Sequence, residues 1–220
     1  MHEATICIFA KPPRPGEAKT RLAPAIGHAG AARVATALLE DVIDAALQVP
    51  RAQVVISATE SFSLPGRSLP IWPQPEGDLG IRIEHTVRRA LLDSKCAIAV
   101  GADTPGITTA ILEDAVQQLR SFDAVLGPAE DGGYYLAGFR RCPRTLLAGI
   151  RWSNPVTLSD TRARLQRFLI TCALLPKWFD LDTPDDLARV RSLLAAQDIA
   201  APHLQAVLDT IPAISRETVV

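Results

Sequence analysis

The stretch CAIAVGADTPG, residues 96–106, decides the fold of this chain. Its first five residues are apolar and show no inside–outside alternation. That pattern belongs to a strand covered on both faces, as in a parallel sheet flanked by helices. The chain then turns through Gly101, Asp103 and Pro105, and Thr108 stands where a helix cap is needed. Ile111, Ala115, Val116 and Leu119 follow at helical spacing. Strand, turn and helix in this order predict one unit of an α/β sheet.

The same alternation extends in both directions. Residues 5–10 read as a first strand, and Ala31, Val34, Leu38, Val42 and Ala45 as one face of a helix. Residues 53–57 and a short, proline-fenced 69–72 read as strands. Asp78 caps a helix whose inner side is Ile83, Val87, Ala90 and Leu91. Further on, residues 124–126, 134–139 and 168–175 read as strands. Asn154-Pro155 reads as a helix cap followed by proline at the first helical position. Thr183-Pro184-Asp185-Asp186 opens a helix with a cap, a proline and first-turn acids, continued by Leu187, Val190, Leu193 and Leu194. One more short helix is expected from Pro202. The expectation is a single domain over residues 1–220, an α/β sandwich with a mostly parallel sheet and no internal repeat or linker.

Composition narrows the function. A net charge of −1 with scattered basic residues argues against nucleic-acid binding through a broad basic face. Cys7, Cys96, Cys142 and Cys172 form no C-x-x-C pair. Cys7, Cys96 and Cys172 lie in apolar runs and read as small core residues of a reduced protein. The four histidines show no metal-ligand spacing. No signal peptide opens the chain and no apolar run reaches the ~18–20 residues of a membrane span. The expected location is the cytoplasm.

In open α/β sheets, ligands bind beyond the carboxyl ends of the strands. After the first strand comes KPPRPGEAKTRL, residues 11–22. It superficially suggests a Walker A motif, but the glycine required before Lys19 is Ala18, and the upstream glycine falls at Pro13. A P-loop is therefore rejected. What remains is a loop with Lys11, Arg14, Lys19 and Arg21, plus Gly16 to let the backbone approach a phosphate chain. The same loop reads equally as a charged, proline-stiffened surface.

Asp103 directly follows the buried strand, where a carboxylate can hold a divalent cation over phosphates; a turn-forming aspartate is the alternative, and the first reading is slightly favoured. In GPAEDGGYYLAGF, Asp131-Gly132-Gly133 reads as a hairpin turn or, alternatively, as part of a substrate pocket faced by one of Tyr134 and Tyr135. In FDLDTPDDL, Asp180 and Asp182 point the same way from an extended segment, and Asp182 can share a cation with Asp103 if the two strand ends are adjacent. In QPEGDLGIR, Asp78 between Gly77 and Gly80 opens a helix, a place suited to anions but also to simple capping. Trp152 is core or the wall of a pocket.

Taken in order, IFAKPPRPGEAKTRLAP, QPEGDLGIR, GADTPGI, GPAEDGGYYLAGF, Trp152-Ser153 and LDTPDDL resemble a family of small bacterial proteins of the glycosyltransferase-A fold, related to 2-phospholactate guanylyltransferase. The resemblance implies a three-layer α/β/α nucleotide-diphospho-sugar transferase fold with a mixed, mainly parallel seven-stranded sheet. It implies Lys19 and Arg21 on nucleotide phosphates, Mg2+ or Mn2+ on Asp103 and Asp182, and Asp131 on the acceptor side. Ala102-Asp103-Thr104 replaces the Asp-x-Asp usual in glycosyltransferases, and the opening loop replaces the G-G-x-x-x-R-M of sugar nucleotidyltransferases. The expected function is metal-dependent transfer from a nucleotide-activated donor. In one version an NTP gives a nucleotidyl group to a small phosphorylated acceptor. In another a sugar nucleotide gives its sugar, with Asp131 as base. A non-catalytic nucleotide-binding module is the third.

Overall fold

The computed structural model describes residues 1–211. The strands are β1 (His2–Ala10), β2 (Ala52–Ala58), β3 (Ile71–Pro73), β4 (Ser94–Gly101), β5 (Ala124–Pro128), β6 (Tyr134–Phe139) and β7 (Cys172–Leu174). The helices are α1 (Ala23–Leu47), α2 (Leu79–Ala90), α3 (Thr109–Gln118), α4 (Thr157–Arg167), α5 (Pro184–Ala195) and α6 (Pro202–Leu208). The sheet runs β3-β2-β1-β4-β6-β5-β7. Only β6 is reversed: it pairs antiparallel with β4 on one side and with β5 on the other. The mixed, mainly parallel seven-stranded sheet therefore stands as expected.

Alternate residues of the central strands feed two cores. Ile6, Ile8, Ile98 and Val100 pack with Leu39, Ile43 and Leu112 of α1 and α3. Cys7, Ala97 and Ala99 pack with Ile83 and Val87 of α2 and Leu165 of α4. Burial on both faces explains why these strands show no polar alternation. A third cluster joins Val34 and Leu38 of α1 to Leu187 and Val190 of α5 and Leu204 and Leu208 of α6. The expected inner face of α1 is wholly buried, although a left-handed Gly27 breaks its first turns.

Caps carry the helix starts. Asp78 and Thr108 accept from the backbone of Ile81 and Ile111, and Thr183 with Asp186 forms a reciprocal capping box. Asn154-Pro155 does not open α4. Asn154 receives the amides of Val156 and Thr157 in a turn, so the helix begins at Thr157. The strand expected over 168–175 shrinks to β7, because Phe168 ends α4 and Leu169 takes φ 53°. Cys172 is half-buried rather than core, whereas Cys142 is buried. Among the described residues, no helix is long and apolar enough to cross a membrane.

Candidate active site

Four segments meet at the carboxyl edge of the sheet. The first is the loop after β1. It is pinned by Leu22, which is fully buried, and by Lys19 itself. Lys19 adopts φ 48°, a left-handed conformation that turns its side chain inward. Its Nζ lies 2.8 Å from Asp103 Oδ1 and 2.8 Å from Asp182 Oδ1. The lysine side chain is 4% exposed, the two carboxylates 62% and 48%. Burial alone would push the Lys19 ammonium toward losing its proton, but the two carboxylates outweigh it and hold its pKa above the ordinary lysine value.

Asp103 sits on the turn after β4, and Asp182 on the segment before α5. The adjacency that the paired-aspartate expectation required is built by backbone: the Leu181 amide donates to the Asp103 carbonyl at 3.0 Å. The Trp178 indole adds a bond to the Pro105 carbonyl at 2.8 Å. Asp180 and Asp182 do not share one partner. Asp180 turns inward to accept from Thr104 Oγ1 at 2.6 Å. Burial, its largest influence, pushes the Asp180 carboxyl up to about 6 despite that hydrogen bond, with Asp103 and Asp182 adding to the rise.

Behind this cluster opens a cleft of about 320 Å³. Asp103, Thr104 and Asp180 lie on one side of it, Asp131 and Gly133 on another, and Phe9, Ile83, Tyr134 and Trp152 form apolar wall. Asp131 stands on the β5–β6 turn, where its Oδ1 accepts from the Gly133 amide at 2.8 Å. The stretch is a hairpin turn, and Asp131 and Gly133 within it line the cleft. Strand alternation sends Tyr134 to the α2–α4 side, edge-on to Trp152 at 5.9 Å, and Tyr135 to the opposite core with its hydroxyl on the Pro176 carbonyl. The Tyr134 hydroxyl is sealed beside Thr161, whose own proton goes to the Thr157 carbonyl, and burial raises its pKa.

The other expected residues lie apart. Arg14 forms a two-pronged pair with Glu60 beyond β2, at 2.9 and 3.0 Å, and does not reach Lys19's partners. Lys11 and Arg21 are exposed and, among the described residues, unpaired. Gly16 has φ 85°, and none of the protein's other atoms lies within 4 Å of the place its Cβ would take; it serves the turn rather than close packing. Asp78 spends its Oδ1 on the α2 cap at 2.9 Å. Gly80 beside it has a separate job: a Cβ there would meet the Leu147 carbonyl at 2.7 Å and the Trp152 ring at 2.9 Å. Sequence reading did not single out Thr104 or Thr157, and it took Asn154 only for a helix cap. The one signal for Thr104 was its place next to Asp103 at the end of a buried strand.

Asp103 and Asp182 converge on the Lys19 ammonium, and they offer carboxylate oxygens, the donor type that Mg2+ and Mn2+ prefer. Among the described residues, no group of three or more His, Cys, Asp and Glu is placed to hold a metal ion. A pair suffices where water and substrate phosphates complete the coordination of a hard cation, so these residues fit such an ion.

This architecture defines the chain as a member of the nucleotide-diphospho-sugar transferase fold class. It is similar over 96% of its length to a candidate nucleotide-diphospho-sugar transferase from Desulfovibrio desulfuricans, at 30% identity, 95% coverage of that chain and a TM-score of 0.86. The fold is shared with CMP:2-keto-3-deoxy-manno-octonic acid synthetase complexed with CTP, at 16% identity, TM-score 0.56, and coverage of 89% of this chain and 99% of that one. It is shared too with 2-C-methyl-D-erythritol 4-phosphate cytidylyltransferase from Thermus thermophilus, at 15% identity, TM-score 0.53, and coverage of 88% and 98%. No curated protein matches the sequence. Residues 45–154 match the bacterial family DUF2064, described as an uncharacterized protein conserved in bacteria, and the chain belongs to that family.

Proposed function

We propose that this chain is a transferase that takes a nucleotide-activated donor and passes part of it to a small molecule in the cleft. One observation carries the reading: a buried lysine ammonium, 2.8 Å from each of two solvent-facing carboxylates, at the mouth of a cleft on the carboxyl edge of the sheet. Such a lysine is charged, preorganised and able to exchange its carboxylates for phosphate oxygens. The likeness to the cytidylyltransferase, and to the synthetase complexed with CTP, supports a nucleotide as the activating group.

Lys19 binds the donor phosphates, and Lys11, Arg14 and Arg21 add positive charge to the loop those phosphates approach. Gly16 sets the turn of that loop, and Asp78 orders the start of α2. Asp103 and Asp182 would hold Mg2+ or Mn2+; such an ion, when bound, supplies charge neutralisation for phosphate oxygens. Asp131 takes the proton of the attacking group. The chemistry is positioning and electrostatic stabilisation, so no side-chain nucleophile is required.

The reaction has two forms. In the first, an acceptor attacks the α-phosphorus of an NTP and pyrophosphate leaves. In the second, it attacks the sugar carbon of a sugar nucleotide and a nucleoside diphosphate leaves. A specific observation favours the second: no Lys, Arg or His is among the described residues that line the cleft, which suits an uncharged acceptor better than a phosphorylated one. Incubation with NTPs and sugar nucleotides in Mg2+ or Mn2+ separates the forms by the leaving group. Binding without release of either leaving group would mean a nucleotide-binding module. Absence of any nucleotide binding, with or without metal, would overturn the proposal.

A further inference from the structure

The cleft differs in character from its mouth. Its charged lining residues are Asp103, Asp131 and Asp180, all carboxylates. Two helix N-termini reach its rim, and backbone amides there often take anions. Here part of that donor set is already used. At α2 the Ile81 amide donates to Asp78 Oδ1 and the Arg82 amide to the Asp78 carbonyl. At α4 the Val156 amide goes to Asn154 Oδ1, the Thr157 amide to the Asn154 carbonyl and the Leu158 amide to the Gly132 carbonyl. Among the described residues that line the cleft, a phosphate or carboxylate entering it would find three carboxylates and no cationic side chain. The one nearby ammonium, Lys19, is at the mouth.

The walls point the same way. Phe9, Ile83, Tyr134 and Trp152 present apolar and aromatic surface. The electron-rich ring faces attract cations and the C–H faces of small rings, and they offer an anion nothing. Outward-facing Asp131 keeps one carboxylate oxygen free of the Gly133 amide, able to accept from a hydroxyl or an ammonium.

We infer that the acceptor is a non-anionic molecule with an apolar face, attacking through a hydroxyl or an amine rather than through a phosphate. This rests on the cleft being the acceptor side of the proposed transferase, and it runs against the small phosphorylated acceptor expected from family resemblance. In either form of the reaction the bond formed is from acceptor oxygen or nitrogen to the transferred phosphorus or carbon. The bond broken is to the leaving phosphate oxygen, and the acceptor's proton passes to Asp131.

The test uses probes matched except for charge: glucose, glucosamine and glucose 6-phosphate, titrated into the full chain. Quenching of tryptophan fluorescence is the readout, and Trp152→Phe assigns the signal to the cleft. Glucose or glucosamine is expected to bind at least about tenfold more tightly than glucose 6-phosphate, since one unfavourable charge contact of this size is worth about a factor of ten. A preference for glucosamine over glucose selects the amine arm, and the reverse selects the hydroxyl arm. Asp131→Asn keeps the oxygen that holds Gly133 but removes the charge, and the discrimination should shrink about threefold or more. Equal or tighter binding of glucose 6-phosphate, no binding of any of the three, or discrimination unmoved by Asp131→Asn overturns the inference. Calorimetry with nucleotides and Mg2+ is run in parallel. Its failure would sink the transferase reading while leaving the charge preference of the cleft to be read from the probes.

Discussion

Replacing Lys19 with methionine separates folding from function at one residue. Methionine keeps a long, unbranched, apolar stem in a slot where the lysine is 4% exposed, so packing is retained. The ammonium is lost. Its two partners are 62% and 48% exposed, so water takes over much of their solvation. Ion pairs of this partly exposed kind are worth about 0.2–1 kcal/mol each, and the relief of burying an ammonium offsets part of that. The net change in folding stability should stay within about 1 kcal/mol, or a melting shift of roughly 2–4 °C for a chain of this size. Donor binding should respond more strongly. A charge-assisted contact to phosphate contributes about 1.5–3 kcal/mol, so the nucleotide Kd should rise about ten- to hundredfold. Scanning calorimetry reads the first effect, and titration calorimetry with nucleotides in saturating Mg2+ reads the second. Lys19→Met that binds nucleotide like the unaltered protein, or that loses more than about 3 kcal/mol of stability, would refute the reasoning: Lys19 would then be only a structural pin.

Two further outcomes are expected. The Asp180 carboxyl, raised to about 6 from an ordinary 3.8, makes the folded protein hold a proton that the unfolded chain releases. Stability therefore falls as pH rises between those two values and stays at its reduced level above them. Asp180→Asn keeps an acceptor for Thr104 without the charge; it should raise stability by about 1–3 kcal/mol above pH 6 and by almost nothing below about pH 4, read from melting curves across pH. At Gly132, φ is 90° and a Cβ would come within 2.1 Å of the Pro155 carbonyl. Gly132→Ala should cost about 2–4 kcal/mol, whereas Gly149→Ala, with φ 75° and open space around it, should cost only about 1 kcal/mol of backbone strain. Equal losses of stability would rule out the packing argument.

Much of the fold was legible because the chain announces it locally. Residues 96–100 could be read as a doubly covered strand, and Thr183-Pro184-Asp185-Asp186 as a helix start, from residue types alone. The reversal of β6 was not spelled out by its own apolar run, since a strand buried on both faces reads the same in either direction. The site was legible in part. Lys19 and Arg14 look alike in the opening loop, but one points inward because of its left-handed backbone and the other is drawn off by Glu60, a residue 46 positions away. The meeting of Asp103 with Asp182 depends on a tertiary hydrogen bond to Leu181, which no local pattern encodes. Asn154 misled because asparagine followed by proline suits a tight turn as well as a helix cap.

The lone antiparallel strand has an evolutionary consequence. Because β6 returns directly beside β5, the wall bearing Asp131 is a short turn between neighbouring strands, residues 129–133. The mouth bearing Lys19 and Asp103 instead hangs on crossovers whose helices fill the cores. Gly132 apart, such a turn can change its outward-facing side chains, Asp131 among them, without disturbing strand register. Under the proposed function, relatives with this sheet would keep one way of gripping the donor and diversify in what they hand it to.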